Sequence, residues 1–319
     1  MKRVVVLGGA GFFGRLIVEK LQAAGVQPVV ASRSHSEMRI DANNPEDLRK
    51  NLKQRDLVVD AAGPFQKRTP ALVEAATRIG FDVIDISDSA DYTKMIYERE
   101  APIGSAGIRV LSACSSLSAV SAAVVKSFSV SEPRRVSAYL VPAGRYTASP
   151  ATLASVITGV QGAWRMFNFP KPLGSRAGVT VDSVDAVTLP RIFPTLRSAE
   201  LVVDLHIPGA NLLLYGAARW AALRQFLERH ESLALGIGRT IGLKKGVLAY
   251  EIATAAGFKY RIFTGAKSYM LAVIPAIQAA VAIAEGRFPR RGVVPPTEHV
   301  DSEQLFDAAR KEGITTSAG

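Results

Sequence analysis

Apolar residues fall in two rhythms along this chain, and the switches between them mark its parts. Val4-Val5-Val6-Leu7 is an aliphatic run without polar alternation, as a strand covered on both faces requires. After a glycine turn, Leu16, Ile17, Lys20 and Leu21 follow helical spacing, so the period changes from about 2 to about 3.6 within a few residues. The alternation repeats. Gln27–Ala31 reads as a strand ending at Ser32-Arg33-Ser34, and Ile40-Asp41 is followed by a helix opening at Pro45, with Asn43 or Asn44 as its cap. Asp56–Asp60 reads as a buried strand, Thr69–Ala76 as a helix stopped by Gly80, and Val83–Asp88 and Arg109–Ser112 as further strands. Strands alternating with helices predict a doubly wound parallel sheet.

The rhythm changes near residue 120. Ala119–Phe128 reads as a small-residue helix. Val136, Ala138 and Leu140 then alternate with polar partners, as do Gly178–Ser183 and Leu201–Ile207. Val247–Thr254 and Lys259–Thr264 flank Ala255-Ala256-Gly257-Phe258, a hairpin signature. These runs predict a mostly antiparallel sheet, interrupted by helices at Thr152–Phe167, with Thr152 as cap, and at Asn211–Arg229. The second helix carries Leu213, Ala217, Trp220, Leu223 and Leu227 on one face, which reads as core or a subunit contact. A membrane-surface helix is the sharper alternative, because arginines flank the tryptophan and leucines. The uncharged stretch between Lys267 and Glu285 holds Pro275 and Gln278 and reads as a buried helix rather than a membrane span. Residues after about 300 read as a short amphipathic helix and a loose tail.

With 319 residues, 48% of them hydrophobic, the chain suggests two domains. The expected fold is α/β, a Rossmann-type doubly wound parallel sheet with a second α+β domain built on a mostly antiparallel sheet. Residues 1–120 would form the dinucleotide-binding domain, with 268–319 packing back on it, and 121–267 the substrate and dimerisation domain. The formal charge of +11 is spread in small groups such as Arg134-Arg135 and Lys244-Lys245, so nucleic-acid binding has no specific support. A single cysteine, Cys114, excludes an internal disulfide. The apolar start is too short for a signal peptide, so a cytoplasmic protein is expected.

Between first strand and first helix lies Gly8-Gly9-Ala10-Gly11-Phe12-Phe13-Gly14, with G-x-G-x-x-G at Gly9, Gly11 and Gly14. One glycine permits the tight turn, one lets the backbone approach a pyrophosphate, and one lets helix and strand pack closely. The N–H groups and dipole of the helix start face the anion. An NAD site places an acid about 20 residues after these glycines to hold the ribose 2′-hydroxyl. Here Ser32, Arg33 and Ser34 stand instead, which suits a 2′-phosphate. NADP(H) is therefore favoured over NAD. Asp41 could reach the adenine edge, or serve as a turn aspartate. Ala61-Ala62-Gly63-Pro64-Phe65 ends a strand in small residues, against which a flat ring could lie.

These stretches carry a resemblance. The glycine run, Ala61–Phe65, Leu72-Val73-Glu74-Ala75 before Gly80, and Asp85-Ile86-Ser87-Asp88 resemble the saccharopine dehydrogenase-like NAD(P)-binding oxidoreductases. The resemblance implies that these loops, Phe12, Phe13 and Asp88 included, surround the nicotinamide. Ser149–Ser155, Gly265–Tyr269 and Gly292–Pro296 continue the likeness more weakly. Pro150-Ala151 replaces the family's glycine pair, and Cys114–Ser118 departs from its pattern. The resemblance implies a second domain that rests substrate and often dimerises, hence a homodimer.

Hydride transfer asks only for a placed cofactor and one proton donor or acceptor. The sequence does not single that group out. His206, Lys267, Tyr269 and Asp88 are candidates; Cys114, Thr152 and Ser155 are candidate substrate contacts, although Cys114 reads equally as a small buried hydrophobe and the hydroxyls as caps. The four histidines, His35, His206, His230 and His299, lack metal-ligand spacing. No tyrosine has a lysine four residues on, unlike the short-chain reductases. The expected function is hydride transfer to or from an imine or amino acid, or a hydrophobic carbonyl or enoyl compound. The alternative is a non-catalytic nucleotide sensor that docks to a membrane or partner.

Overall fold

A computed structural model of the protein describes residues 2–34 and 37–319; His35 lies outside them. Strands in chain order are β1 (Val4–Leu7), β2 (Pro28–Ser32), β3 (Met38–Arg39), β4 (Leu57–Asp60), β5 (Asp82–Asp85), β6 (Arg109–Leu111), β7 (Arg135–Val141), β8 (Val160–Asn168), β9 (Ser175–Val181), β10 (Ser198–Val203), β11 (Gly246–Thr254), β12 (Gly257–Gly265), β13 (Gly292–Val293) and β14 (Thr315–Ala318). Two compact units result. One runs to Ala123 and includes Leu271–Asp301; the other is Val124–Met270 with Ser302–Gly319.

The first unit holds a parallel sheet in the order β13-β6-β5-β4-β1-β2-β3. All four residues in each of β1, β4 and β5 are buried, which is why these runs lack alternation. Helices α1 (Phe12–Ala23), α2 (Pro45–Asn51), α3 (Ala71–Ile79), α4 (Ala90–Tyr97) and α5 (Glu100–Ala106) connect the strands. Asn44, not Asn43, caps α2, accepting from the N–H groups of Glu46 and Asp47. The alanine-rich stretch expected to be buried forms helix Ile274–Ala284, packed on α1, β4 and β5. No helix among the described residues is long and apolar enough to cross a membrane. From β1 the chain builds outward to β2 and β3, then returns to place β4 on the other side of β1. The strand order therefore reverses between β1 and β4, where ligands settle in open parallel sheets.

The second unit is a seven-stranded sheet in the order β14-β12-β11-β7-β10-β9-β8, antiparallel except for the β7–β10 pair. The expected hairpin is present, with Thr254 opposite Gly257. Tyr139, Phe167, Phe169, Val202 and Ala249 form one core, with the rings of Phe167 and Phe169 stacked 5.0 Å apart.

Three sequence expectations are corrected here. The helix read over Thr152–Phe167 ends at Gly159, and Val160–Asn168 is strand β8. Gly159 and the left-handed Gly162 (φ 71°) break helical geometry, and the aromatic residues beyond them pair with β9. The single helix read over Asn211–Arg229 is two, Ala210–Arg219 and Ala221–Arg229, broken at the extended Trp220. The chain folds back so closely that a Cβ on Gly216 would lie 2.8 Å from Leu223 Cδ2. In one straight helix those residues would be about 10 Å apart along the axis. Finally, residues 302–319 join the second unit rather than packing back on the first. Thr315–Ala318 forms an edge strand on β12, and Phe306 sits 5.7 Å from Phe263.

Candidate dinucleotide site

The glycine turn is shaped by close backbone approaches. Gly8 is left-handed (φ 72°), and a Cβ there would lie 2.7 Å from the Ala61 carbonyl oxygen. The tight-turn role thus falls to the residue just before the G-x-G-x-x-G triplet. A Cβ on Gly14 would overlap the Gly8 carbonyl oxygen and lie 2.7 Å from Gly9 Cα. Its buried position brings α1 against the turn. Gly11 differs: a Cβ there would meet only the Gly8 oxygen, at 3.1 Å, with no other non-neighbouring atom within 4 Å. Open space on that side is what a pyrophosphate needs. Gly11 caps α1 without a side-chain hydrogen bond, and the first turn carries no acid. The positive end of the helix is left for an anion.

The backbone of Ala61-Ala62 forms the opposite wall. Ala61 donates to the Leu7 oxygen (2.9 Å), and Ala62 donates to Asp60 Oδ1 (2.9 Å). The Asp60 carboxylate is fully buried and pairs with Arg68, Nη2 to Oδ2 2.7 Å. Arg68 also donates to Asp60 Oδ1 (3.1 Å) and to the Ala62 oxygen (2.9 Å). Its guanidinium lies over the rings of Phe65 and Tyr92, at 5.6 and 5.7 Å. Burial would lower the Arg68 pKa, but the charge of Asp60 beside it raises it overall. This pair fixes the segment that faces Gly8. The sequence reading missed Gly8, Asp60 and Arg68; an acid closing an otherwise apolar strand was the available signal.

The other predicted residues fall as follows. Phe12 and Phe13 are half-buried, their rings 5.0 Å apart edge to face. Ser32 is half-buried at the end of β2; Arg33 and Ser34 are exposed beyond it, and the Ser34 N–H donates to Ser32 Oγ (3.3 Å). Arg33 has no hydrogen-bond or ion-pair partner among the described residues. Asp41 makes a turn, accepting from the Asn43 N–H (2.9 Å). Gly63 is exposed and Pro64 half-buried, whereas the Phe65 ring is buried 5.5 Å from Tyr92. Phe65 is therefore core rather than lining. Asp88 accepts from Gln66 Nε2 (3.2 Å), tying the loop after β5 to that after β4.

Cys114 is fully buried, and burial pushes its thiol well up. It is a small hydrophobe, not a reactive group. In the second unit Ser149, not Thr152, caps its helix, and the Thr152 hydroxyl completes the capping box with the Ser149 N–H at 3.0 Å. Ser155 is half-buried on the same helix. Asp204 takes hydrogen bonds from Tyr139, Asn211 and the His206 N–H, at 2.7, 2.8 and 2.9 Å. His206 thus belongs to a structural network. Lys267 faces Glu312 at 3.4 Å, and Tyr269 lies 6.5 Å from Tyr146.

Two buried groups in the first unit titrate in opposite senses. Burial pushes Asp85 up to about 6 against an ordinary 3.8, although the N–H groups of Ala113 and Ser87 oppose the shift. Burial pulls His299 down to about 4 from 6.5, its Nε2 3.0 Å from the Val294 oxygen. As pH falls from 6.5 toward 4, the unfolded chain takes up a proton that folded His299 refuses, so stability is lost. Folded Asp85 instead keeps a proton that the unfolded chain releases; its stabilisation is full below 3.8 and is lost as pH rises through 6. Each effect amounts to roughly 3 kcal/mol. Relative to the parent, Asp85→Asn should lose stability as pH falls through this window, and His299→Asn should gain it. Urea midpoints at several pH values measure both, and parallel curves for parent and variants would refute the assignment.

A glycine turn with these approaches, set between the first strand and helix of a parallel sheet, defines a dinucleotide-binding domain. Residues 4–111 match the saccharopine dehydrogenase NADP binding domain. The match is to the NADP-binding domain of that family and takes in about a third of the chain. The chain is 29% identical over 137 residues to a lipid droplet localized protein of Caenorhabditis elegans, a match covering 35% of this chain and 32% of the relative. The match thus spans about a third of that relative's length. Among solved structures it is similar to an oxidoreductase from Thermotoga maritima, at 14% identity and TM-score 0.40 over 99% of this chain and 98% of the other. Biliverdin reductase from Synechocystis, solved with biliverdin and NADP+, is similar at 13% identity and TM-score 0.38 over 97% and 98%.

Proposed function

We propose that the protein is an NADP(H)-dependent oxidoreductase that transfers a hydride to or from a small-molecule substrate. The observation that carries this reading is the turn itself. Gly8 and Gly14 have no room for a Cβ, and Gly11 leaves open space before an uncapped helix start. That cradle fits a pyrophosphate, which the N–H groups of the first turn of α1 would hold. Bound NADPH would supply the hydride. The chain's own part is to hold the diphosphate at Gly9–Gly14 and the 2′-phosphate at Ser32–Ser34, and to present the Ala61–Ala62 backbone to the far end of the cofactor. Arg33, exposed and unpartnered among the described residues, supports NADPH over NADH. Family likeness supports an imine or amino-acid substrate; the lipid droplet setting in the relative's name supports a hydrophobic carbonyl or enoyl compound. A homodimer in the cytoplasm belongs to the same reading.

Calorimetric titration with NADPH and NADH tests the first step. Arg33→Glu is expected to weaken NADPH about a hundredfold, from a lost charge-assisted contact and a new repulsion, and NADH only slightly. Equal losses would overturn the 2′-phosphate assignment, and no binding of either nucleotide would overturn the oxidoreductase. NADPH oxidation against imines and enoyl compounds then separates the substrate classes.

A further inference from the structure

The helices of residues 210–241 carry apolar residues on their inward faces and others that point outward. The inward sets are ordinary: Leu214 and Ala217 are buried, Leu223 and Leu227 half-buried, and Leu235 buried. The outward sets are not. Leu212 is 65% exposed, Trp220 65%, Phe226 51%, Leu233 60% and Ile241 55%. In helix Glu231–Ile241, Leu233, Ile237 and Ile241 recur every fourth residue, so they line one face, opposite the buried Leu235. A helix resting on a core needs one apolar stripe. The outward residues stay 43% to 65% exposed, and apolar exposure on this scale marks a binding surface.

Charge decides what that surface meets. Residues 210–245 contain six basic residues, Arg219, Arg224, Arg229, Arg239, Lys244 and Lys245, against two acids, Glu228 and Glu231. Arg219, Arg224 and Arg239 donate to the main-chain oxygens of Gly162, Ala217 and Ala148, which leaves their charge uncompensated. None of the six has an ion-pair partner among the described residues. A second copy docking symmetrically would set this excess of cations against itself. An anionic phospholipid surface answers both features. It takes up leucine, isoleucine and phenylalanine at the acyl boundary, holds tryptophan at headgroup depth and attracts the flanking lysines and arginines. The helices of 9 to 11 residues, broken at Trp220 and His230, suit lying on a bilayer rather than crossing it.

We propose that residues 210–245 form a peripheral docking surface for membranes rich in anionic phospholipid, with Leu212, Trp220, Phe226, Leu233, Ile237 and Ile241 entering the interface and Arg229, Lys244 and Lys245 facing the headgroups. This assignment is independent of the redox reading. Full-length protein is floated with phosphatidylcholine vesicles, with and without phosphatidylserine. It is expected to rise with the phosphatidylserine vesicles and to be released by salt. Lys244→Ala with Lys245→Ala should weaken partition about thirtyfold. Phe226→Ser with Ile237→Ser should abolish it. In a Trp164→Phe background, emission from Trp220 should shift to the blue on adding these vesicles. All substituted side chains are exposed, and circular dichroism with a thermal melt checks that the variants fold. Protein left in the soluble fraction with both vesicles would overturn the proposal. So would binding indifferent to the lysine changes, or a concentration-dependent doubling of mass that Phe226→Ser with Ile237→Ser abolishes.

Discussion

Gly14→Ala is expected to abolish nucleotide binding and lower thermal stability, whereas Gly11→Ala is expected to weaken binding with little loss of stability. The contrast follows from what a methyl group would meet. At Gly14 it would overlap the Gly8 carbonyl oxygen and press on Gly9 Cα at 2.7 Å, both backbone atoms that no rotamer can move. The helix must shift, at a cost above about 3 kcal/mol. At Gly11 the added methyl meets one backbone atom, the Gly8 oxygen at 3.1 Å, which a shift of a few tenths of an ångström relieves, so most of the stability is kept while the methyl enters the space proposed for phosphate. An affinity loss beyond about tenfold is expected there, from one displaced charge-assisted contact. Differential scanning calorimetry with and without NADPH reads both. A Gly14→Ala protein that melts and binds like the parent would refute the packing account, and a Gly11→Ala protein with unchanged affinity would move the phosphate elsewhere.

Arg68→Met should produce the second large effect. It strands the Asp60 carboxylate, which is fully buried and among the described residues otherwise receives only the Ala62 N–H. Leaving one buried partner uncompensated costs about 3–5 kcal/mol. Adding Asp60→Asn removes the charge yet keeps an acceptor for Ala62, so the double variant should recover more than half of the loss. Urea unfolding of the single and double variants gives the coupling directly, and additive losses would mean that the pair does not act as a unit. Because Arg68 also holds the Ala62 oxygen, NADPH affinity should fall in the single variant.

Much of the first unit was legible because its signals are local. A strand buried on both faces reads as an unbroken aliphatic run, so β1, β4 and β5 fall within a few residues of the runs at Val4–Leu7, Asp56–Asp60 and Val83–Asp88, the last of which ends as strand at Asp85. The G-x-G-x-x-G triplet marked the turn, although the left-handed residue is Gly8, whose need for glycine comes from Ala61, distant in sequence. The Asp60–Arg68 pair was invisible for a similar reason: burial of an arginine after a proline-containing loop depends on Phe65 and Tyr92 folding around it. In the second unit the errors are failures of period. Leu213, Ala217, Trp220, Leu223 and Leu227 fit one helix, but contact between Gly216 and Leu223 demands a break that spacing alone does not signal. The tail read as loose because Thr315–Ala318 is too short to show alternation, and pairing with β12 orders it.

The route of the backbone sets the timetable of assembly. Both β13, which closes one edge of the parallel sheet, and β14, which closes one edge of the other, are encoded after residue 290. On a ribosome, β6 must wait while some 180 further residues are made before its neighbour emerges, on the order of ten to forty seconds at ordinary elongation rates. Throughout that interval the nascent chain presents an unpaired hydrogen-bonding rim, the surface on which chaperones and misassembly compete.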